Sequence, residues 1–190
     1  MDENKPFRTA IHEAVIFLAI NAEDEAGEPL AESFGVGGYP TYVVVNADGE
    51  TVDRWLGYGD PDGFLAALQG AVGDPSTVAE KLARYEDSPN AWDAEKLGDI
   101  YGAEGKTEQA LSMYRAADEL DSEPNPGLTG KIFYTLADGF HSETFTLEEI
   151  TAGADAVLAL EGDENTMTLV QVARTMGMIA NQAEQAELSL

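Results

Sequence analysis

The 190 residues include 36 acidic and only 10 basic side chains, for a formal net charge of −26; a surface of that sign repels phosphate backbones and anionic headgroups, which argues against nucleic acid and anionic lipid as partners. Hydrophobic residues make up 44 % of the chain, enough to bury a core in one ordinary domain or two small ones. There is no cysteine, which excludes disulfides, thiolate metal sites, iron–sulfur ligation and any thiol–disulfide chemistry carried by these residues themselves.

Residues 1–14 are mixed, and Pro6 predicts an interruption of any helix there. Val15-Ile16-Phe17-Leu18-Ala19-Ile20 is a continuous β-rich apolar run, the pattern of a strand buried on both faces. It falls far short of the ~20 residues a membrane helix needs, so no membrane insertion is expected. The acidic start lacks the features of a secretory signal. The sequence names no compartment: without a signal in these residues the protein reads as cytoplasmic or, if residues are missing ahead of Met1, periplasmic.

Asn21–Gly27 reads as an acidic loop and Pro29–Phe34 as a short helix that Gly35-Val36-Gly37-Gly38 ends. Thr41–Val45 is a second strand. Asn46-Ala47-Asp48-Gly49 is a tight turn, because Asp-Gly tolerates positive φ. Thr51–Leu56 returns as the other strand of a hairpin. Asp60-Pro61 then opens a helix, with aspartate as cap and proline at its first position. Phe64, Leu65, Leu68 and Val72 are its predicted apolar stripe.

After Gly73-Asp74-Pro75 the strand signals stop. The rest reads as helices broken near Ser88-Pro89, Gly105, Ser122–Gly127, Ser142–Thr144 and Gly162-Asp163. This change of pattern predicts a domain boundary at 73–76, between an α/β domain over 1–72 and an all-α domain over 77–190.

The order strand, helix, Gly38-Tyr39-Pro40-Thr41, hairpin, Gly57-Tyr58, helix resembles the thioredoxin family over about residues 1–72. Leu30 to Thr41 carries the closest likeness, and Asp48-Gly49 and Arg54 continue it. The resemblance implies an incomplete thioredoxin-like fold. It also implies a cis Tyr39–Pro40 bond and a peptide-contact edge at Tyr39, Pro40 and Thr41, where the family pairs backbone with an extended substrate. It further implies that the family's first strand and its cysteine–x–x–cysteine turn would precede residue 1, with Met1-Asp2-Glu3-Asn4 and Phe7 lying just past them. That strand belongs between the strands matching 15–20 and 41–45. Without it, Val15–Ile20 is expected to close directly against Thr41–Val45 in a three-stranded sheet, the alternative being an open slot.

Residues 91–121 resemble a tetratricopeptide repeat at Leu97, Gly98, Tyr101, Gly105, Ala110, Tyr114 and Ala117. The small residues would let two antiparallel helices approach, and Leu97, Tyr101 and Tyr114 would fill the groove between them. A weaker echo follows at Leu136-Ala137, Phe140, Ile150, Val157 and Leu160, and a third start at Met176–Ala180, at a period longer than the usual ~34 residues. The second domain is thus expected to be all-α helical hairpins, a plain helical bundle with the same small-residue contacts being the other reading. Met167, Met176 and Met178 read as core filler.

No residue pattern suggests a catalytic group, a cofactor or a metal. His12 and His141 stand far apart and read as surface or cap residues, and Glu23-Asp24-Glu25 and Asp60-Pro61-Asp62 lack a calcium-loop pattern. Two functions remain side by side. One is a thioredoxin-like protein-interaction module whose partner is a protein or peptide. The other is a thiol–disulfide oxidoreductase whose active-site segment lies upstream of Met1.

Overall fold

The structure is a computed structural model that describes residues 5–123, 125–140, 142, 144–160 and 166–188. The chain forms two compact units, residues 1–86 together with Ala103–Gly105, and residues 87–102 together with 106–190.

The first unit opens with α1 (Lys5–Ala14). Pro6 does not interrupt this helix, contrary to the expectation above. It lies in the first turn, where its missing N–H has no intrahelical partner to lose. Helix α2 (Glu28–Ser33) follows an exposed acidic loop in which Asp24 Oδ1 accepts from the N–H groups of Ala26 and Gly27. Strands β1 (Thr41–Val45) and β2 (Thr51–Leu56) pair antiparallel across the Asp48-Gly49 turn, where Gly49 has φ +82°. Helix α3 (Pro61–Gly73) begins at Asp60, whose carboxylate accepts from Gly63 N. Helix α4 (Val78–Asp87) begins with a reciprocal cap in which Thr77 and Glu80 each bond the other's backbone N–H.

Val15–Ile20 is not a strand. It follows α1 without regular structure, and Ile16, Phe17, Leu18 and Ile20 are exposed, Ile16 completely. The three-stranded closure does not form either, because the sheet among the described residues has two strands, β1 and β2. The physical reason is pairing. An all-apolar strand is stable only with neighbours that satisfy its backbone, and the arrangement implied by the family resemblance separates this run from β1 by a strand's width that no described strand fills. Val15 alone reaches the core.

That core is small and aromatic. Ile11, Phe64 and Leu68 are buried, with Phe7, Val15, Tyr42, Val44, Trp55 and Leu65 against them. Tyr42 and Trp55 are opposite each other in the hairpin register and stack at 5.4 Å, while Phe64 meets both rings edge-on. Such pairs add about 0.5–1.5 kcal/mol each beyond the area they bury. The buried face of α3 is Phe64, Leu68 and Ala71, at i, i+4 and i+7. Val72, expected in that stripe, is exposed, because Ala71 lies nearer the axis of the face that Phe64 and Leu68 define.

Several polar side chains are sunk into this unit, Asp53, Arg54 and Lys81 among them. Lys81 on α4 is 1 % exposed, and its ammonium donates to the carbonyls of Val52 (3.1 Å), Asp74 (3.1 Å) and Ser76. Its three protons match three acceptors, which offsets the cost of burying the charge.

The second unit is helical: α5 (Ala91–Ala103), α6 (Thr107–Leu120), α7 (Pro126–Phe140), α8 (Leu147–Leu158) and α9 (Thr166–Leu188). Gly105, at φ +71°, turns the chain between α5 and α6. Leu97, Gly98, Ala110, Tyr114 and Ala117 are buried. Gly98 lies so close to Tyr114 that a Cβ there would meet the ring at 2.6 Å, so only glycine fits without a shift. Farther along, Phe133, Leu136, Ile150, Ala154, Val157, Val172 and Ile179 form one apolar cluster. Thr146 and Glu149 make a capping box at the start of α8. Met176 packs against the cluster, but Met178 is exposed and is not core filler. The side chain of Met167, His141 and the Gly162-Asp163 break lie outside the described residues. No helix among the described residues is long and apolar enough to cross a membrane.

Candidate functional site

The residues of the expected peptide edge sit at the entry to β1. The Tyr39–Pro40 bond is cis. Tyr39 and Pro40 are exposed, Tyr39 by 64 %, and Thr41 is half-buried. The Thr41 hydroxyl donates to the Gly38 carbonyl at 2.6 Å and closes the turn from below. Across the hairpin, Thr41 is paired with Leu56, and the N–H of Gly57 donates to the Pro40 carbonyl at 2.8 Å. Gly38 packs against the Leu56 side chain.

Two devices fix this edge. Arg54, in the middle of β2, is 4 % exposed, and its guanidinium donates to the carbonyls of Phe34 (2.9 Å) and Gly35 (3.2 Å) at the end of α2. It also meets Glu104 at 3.3 Å, within the same unit. A single planar fork thus ties the chain entering Gly35–Gly38 to the sheet. The second device is the left-handed Gly57, whose φ of +84° lets the chain leave β2 while its N–H still faces Pro40.

Directly beyond Gly57 lies an open cleft of about 400 Å³ formed by residues 55–60 with Gly63 and Phe64. Trp55, Tyr58 and Phe64 give it aromatic walls, and Leu56 and Tyr58 are substantially exposed. The edge and the cleft therefore share the 56–57 segment. The sequence had marked Gly57-Tyr58, Asp60 and Phe64 only as family or helix features, and it passed over Trp55. The pairing of Thr41 with Leu56 that joins them belongs to the hairpin register, and no local sequence signal announces it.

The helical unit carries a separate polar group of residues. Lys131 of α7 donates to Glu95 (2.8 Å) and Asp99 (2.6 Å) of α5, and the Tyr114 hydroxyl of α6 donates to Asp99 at 2.9 Å. Burial opposes the Lys131 charge, but the Asp99 and Glu95 carboxylates more than offset it, so the ammonium titrates above the ordinary lysine range. Burial first, and Asp99 second, push the Tyr114 phenol well up. Each member bonds another within the group, so it acts as a staple across three helices. Among the described residues no three His, Cys, Asp or Glu side chains are placed to hold a metal ion.

Comparison with known proteins bears on the first unit. Residues 1–71 match the family model of a thioredoxin-like domain. A protein disulfide-isomerase of Datisca glomerata is 31 % identical over 83 residues, which is 44 % of this chain and 16 % of that protein. No solved structure matches. A thioredoxin-like domain thus stands at the N-terminus, followed by a mostly helical region, and the chain spans only about a sixth of the curated relative it matches.

Proposed function

We propose that this protein is a binding module whose thioredoxin-like domain receives an extended segment of a protein or peptide along Tyr39, Pro40 and Thr41. The observation that carries the reading is the Gly57–Pro40 hydrogen bond, which sets an exposed edge and an open aromatic cleft side by side on one segment. Backbone along the edge would give affinity, and the cleft would take a side chain, the division of labour by which strand-type peptide recognition works. The helical unit is proposed to be stacked hairpins of tetratricopeptide-repeat type, a scaffold that offers a concave face to a protein partner. The close approach of Gly98 to Tyr114 and the buried Ala110 and Ala117 support that reading.

The test is binding of a panel of capped extended peptides by calorimetry, comparing the native chain with Tyr39→Ala. Binding that Tyr39→Ala weakens is the expected result, and a panel that binds neither protein would refute the reading.

A second reading has its own support in the likeness to a disulfide isomerase. A redox thiolate is the nucleophile of such chemistry, and these residues hold no cysteine to supply one. Oxidoreductase activity would therefore require an in-frame Cys-x-x-Cys encoded ahead of Met1. Reading the coding DNA there decides between the two, since a dithiol motif would favour the enzyme.

A further inference from the structure

The cleft beside the Tyr39–Pro40 edge has a chemistry that the family likeness does not specify. Trp55, Tyr58 and the largely buried Phe64 are among its lining residues, with the Tyr58 and Phe64 rings centred 6.0 Å apart. Asp60 is the charged side chain in its lining. Its Oδ1 accepts from Gly63 N at 2.9 Å, which holds the carboxylate in place, and a carboxylate has lone pairs for further donors. Gly59 is exposed, and a Cβ there would meet nothing within 4 Å. Among the described residues no lysine or arginine lines the cleft, and the chain as a whole carries a net charge of −26.

Aromatic residues and one carboxylate in the same lining, on a strongly acidic chain, are complementary to a planar organic cation. We infer that the cleft is a specificity pocket for an arginine side chain of the bound peptide, a proposal that rests on the peptide-contact reading above. The guanidinium lies against the aromatic walls and donates to Asp60, while the peptide backbone runs along Tyr39–Thr41. Arginine suits the site better than lysine because its flat, weakly hydrated head both stacks on rings and pairs with a carboxylate in one geometry. The negative surface raises the local concentration of such peptides and speeds their capture.

The test uses the full chain with Trp92→Phe, which leaves Trp55 as the only tryptophan. Three capped peptides differ at one central residue: arginine, its uncharged isostere citrulline, and glutamate. Calorimetry gives the affinities and Trp55 emission reports occupancy of the cleft. The arginine peptide should bind about 5- to 10-fold tighter than the citrulline one, the scale of a partly desolvated cation–ring contact, and should alone shift Trp55 emission strongly. Asp60→Asn keeps a side-chain cap for α3, so it should leave the fold intact and reduce arginine to the citrulline level. Equal binding of arginine and citrulline, weakened in both by Tyr39→Ala, overturns the pocket and leaves the edge standing. An arginine preference that survives Asp60→Asn and disappears in high salt belongs to the general acidic surface and also overturns the pocket. Binding of none of the three peptides overturns the pocket and the edge together.

Discussion

Gly57 holds Pro40: its N–H donates to the Pro40 carbonyl at 2.8 Å from a left-handed conformation with φ +84°. The space around the glycine is open, so its requirement is conformational and not steric. Gly57→Ala should therefore cost about 1–2 kcal/mol in urea unfolding through backbone strain alone. Because the same residue joins the edge to the cleft, peptide affinity should fall in the variant at temperatures where it remains fully folded. Unchanged stability would mean that the left-handed geometry is not held in solution.

Arg54→Leu removes the fork that ties Phe34 and Gly35 to the sheet. It takes the donor from three carbonyls, those of Phe34, Gly35 and Ala103, and removes the ion pair to Glu104 at 3.3 Å. Orphaned groups of this kind cost about 1–3 kcal/mol each when buried, so a loss near the upper end of that range is expected. Hydrogen exchange should rise first in residues 34–38. A uniform change over the whole unit would show that Arg54 acts on overall stability only.

In the helical unit, Gly98→Ala drives a methyl into the Tyr114 ring, which a Cβ would meet at 2.6 Å. Overpacking of a tight helix contact costs about 1–3 kcal/mol. Combining Gly98→Ala with Tyr114→Leu should recover part of that loss, since the smaller side chain vacates the space. A double-mutant cycle without coupling would separate the two residues.

Stability should respond to acid in two stages. Moderate acidification lowers a net charge of −26 and relieves self-repulsion, which is stabilising. Farther down, specific carboxylates lose their folded-state advantage. The Arg84 guanidinium, 2.7 Å away, holds the Asp74 carboxyl far below the usual range, and the cap bonds from Thr77 and Thr146 lower Glu80 and Glu149. A carboxylate lowered in the folded state stabilises above its unfolded pKa near ~4 and loses that contribution as pH falls through the lowered value. Melting temperature should thus pass through a maximum above pH ~4 and drop below it, and Asp74→Asn should flatten the acid limb. A wild-type curve parallel to that of Asp74→Asn below this point would exclude the ion pair as the cause.

How much of this could be read in the sequence depended on whether the signal was local. The Asp48-Gly49 turn, the Asp60 cap and the Gly105 break are each decided by a few adjacent residues, and each forms where expected. Leu97, Ala110 and Tyr114 are buried, while Tyr101, which the repeat resemblance placed in the same groove, is only half-buried. Failures came where the answer lay elsewhere in the chain. The apolar run at 15–20 reads as a strand, yet a strand exists only with neighbours, and none is described beside it.

The cleft was hidden by a single residue. An irregularity between Val44 and Val45 shifts the hairpin register, so Val45 faces Thr51 while Val44 faces Asp53. Counting outward from the turn without it pairs Thr41 with Trp55 instead of Leu56 and places the wrong face of β2 beside the peptide edge. Lys81 was illegible for a different reason: nothing in its local helix announces three carbonyls waiting in a loop and a strand.

The exposed run itself yields a prediction. Ile16 and Leu18 touch little, so Ile16→Lys with Leu18→Lys should change unfolding free energy by no more than about 0.5 kcal/mol. The pair should, however, sharply reduce self-association and dye binding to apolar surface, because an apolar unpaired segment is a template for other chains. If association in the variant matches that of the native chain, this run is not the sticky element.

Lys81 also makes the first unit its own reporter. The chain has five lysines, and this one is 1 % exposed with its amine consumed by carbonyls of a strand and of the loop ahead of its own helix. An amine-directed reagent can reach it only when those elements part. The rate at which Lys81 acquires a label, read by mass spectrometry against the labelling of exposed lysines, then times the opening of the unit that carries the peptide edge. A ligand seated along that edge should slow the clock in proportion to how tightly it binds the closed form.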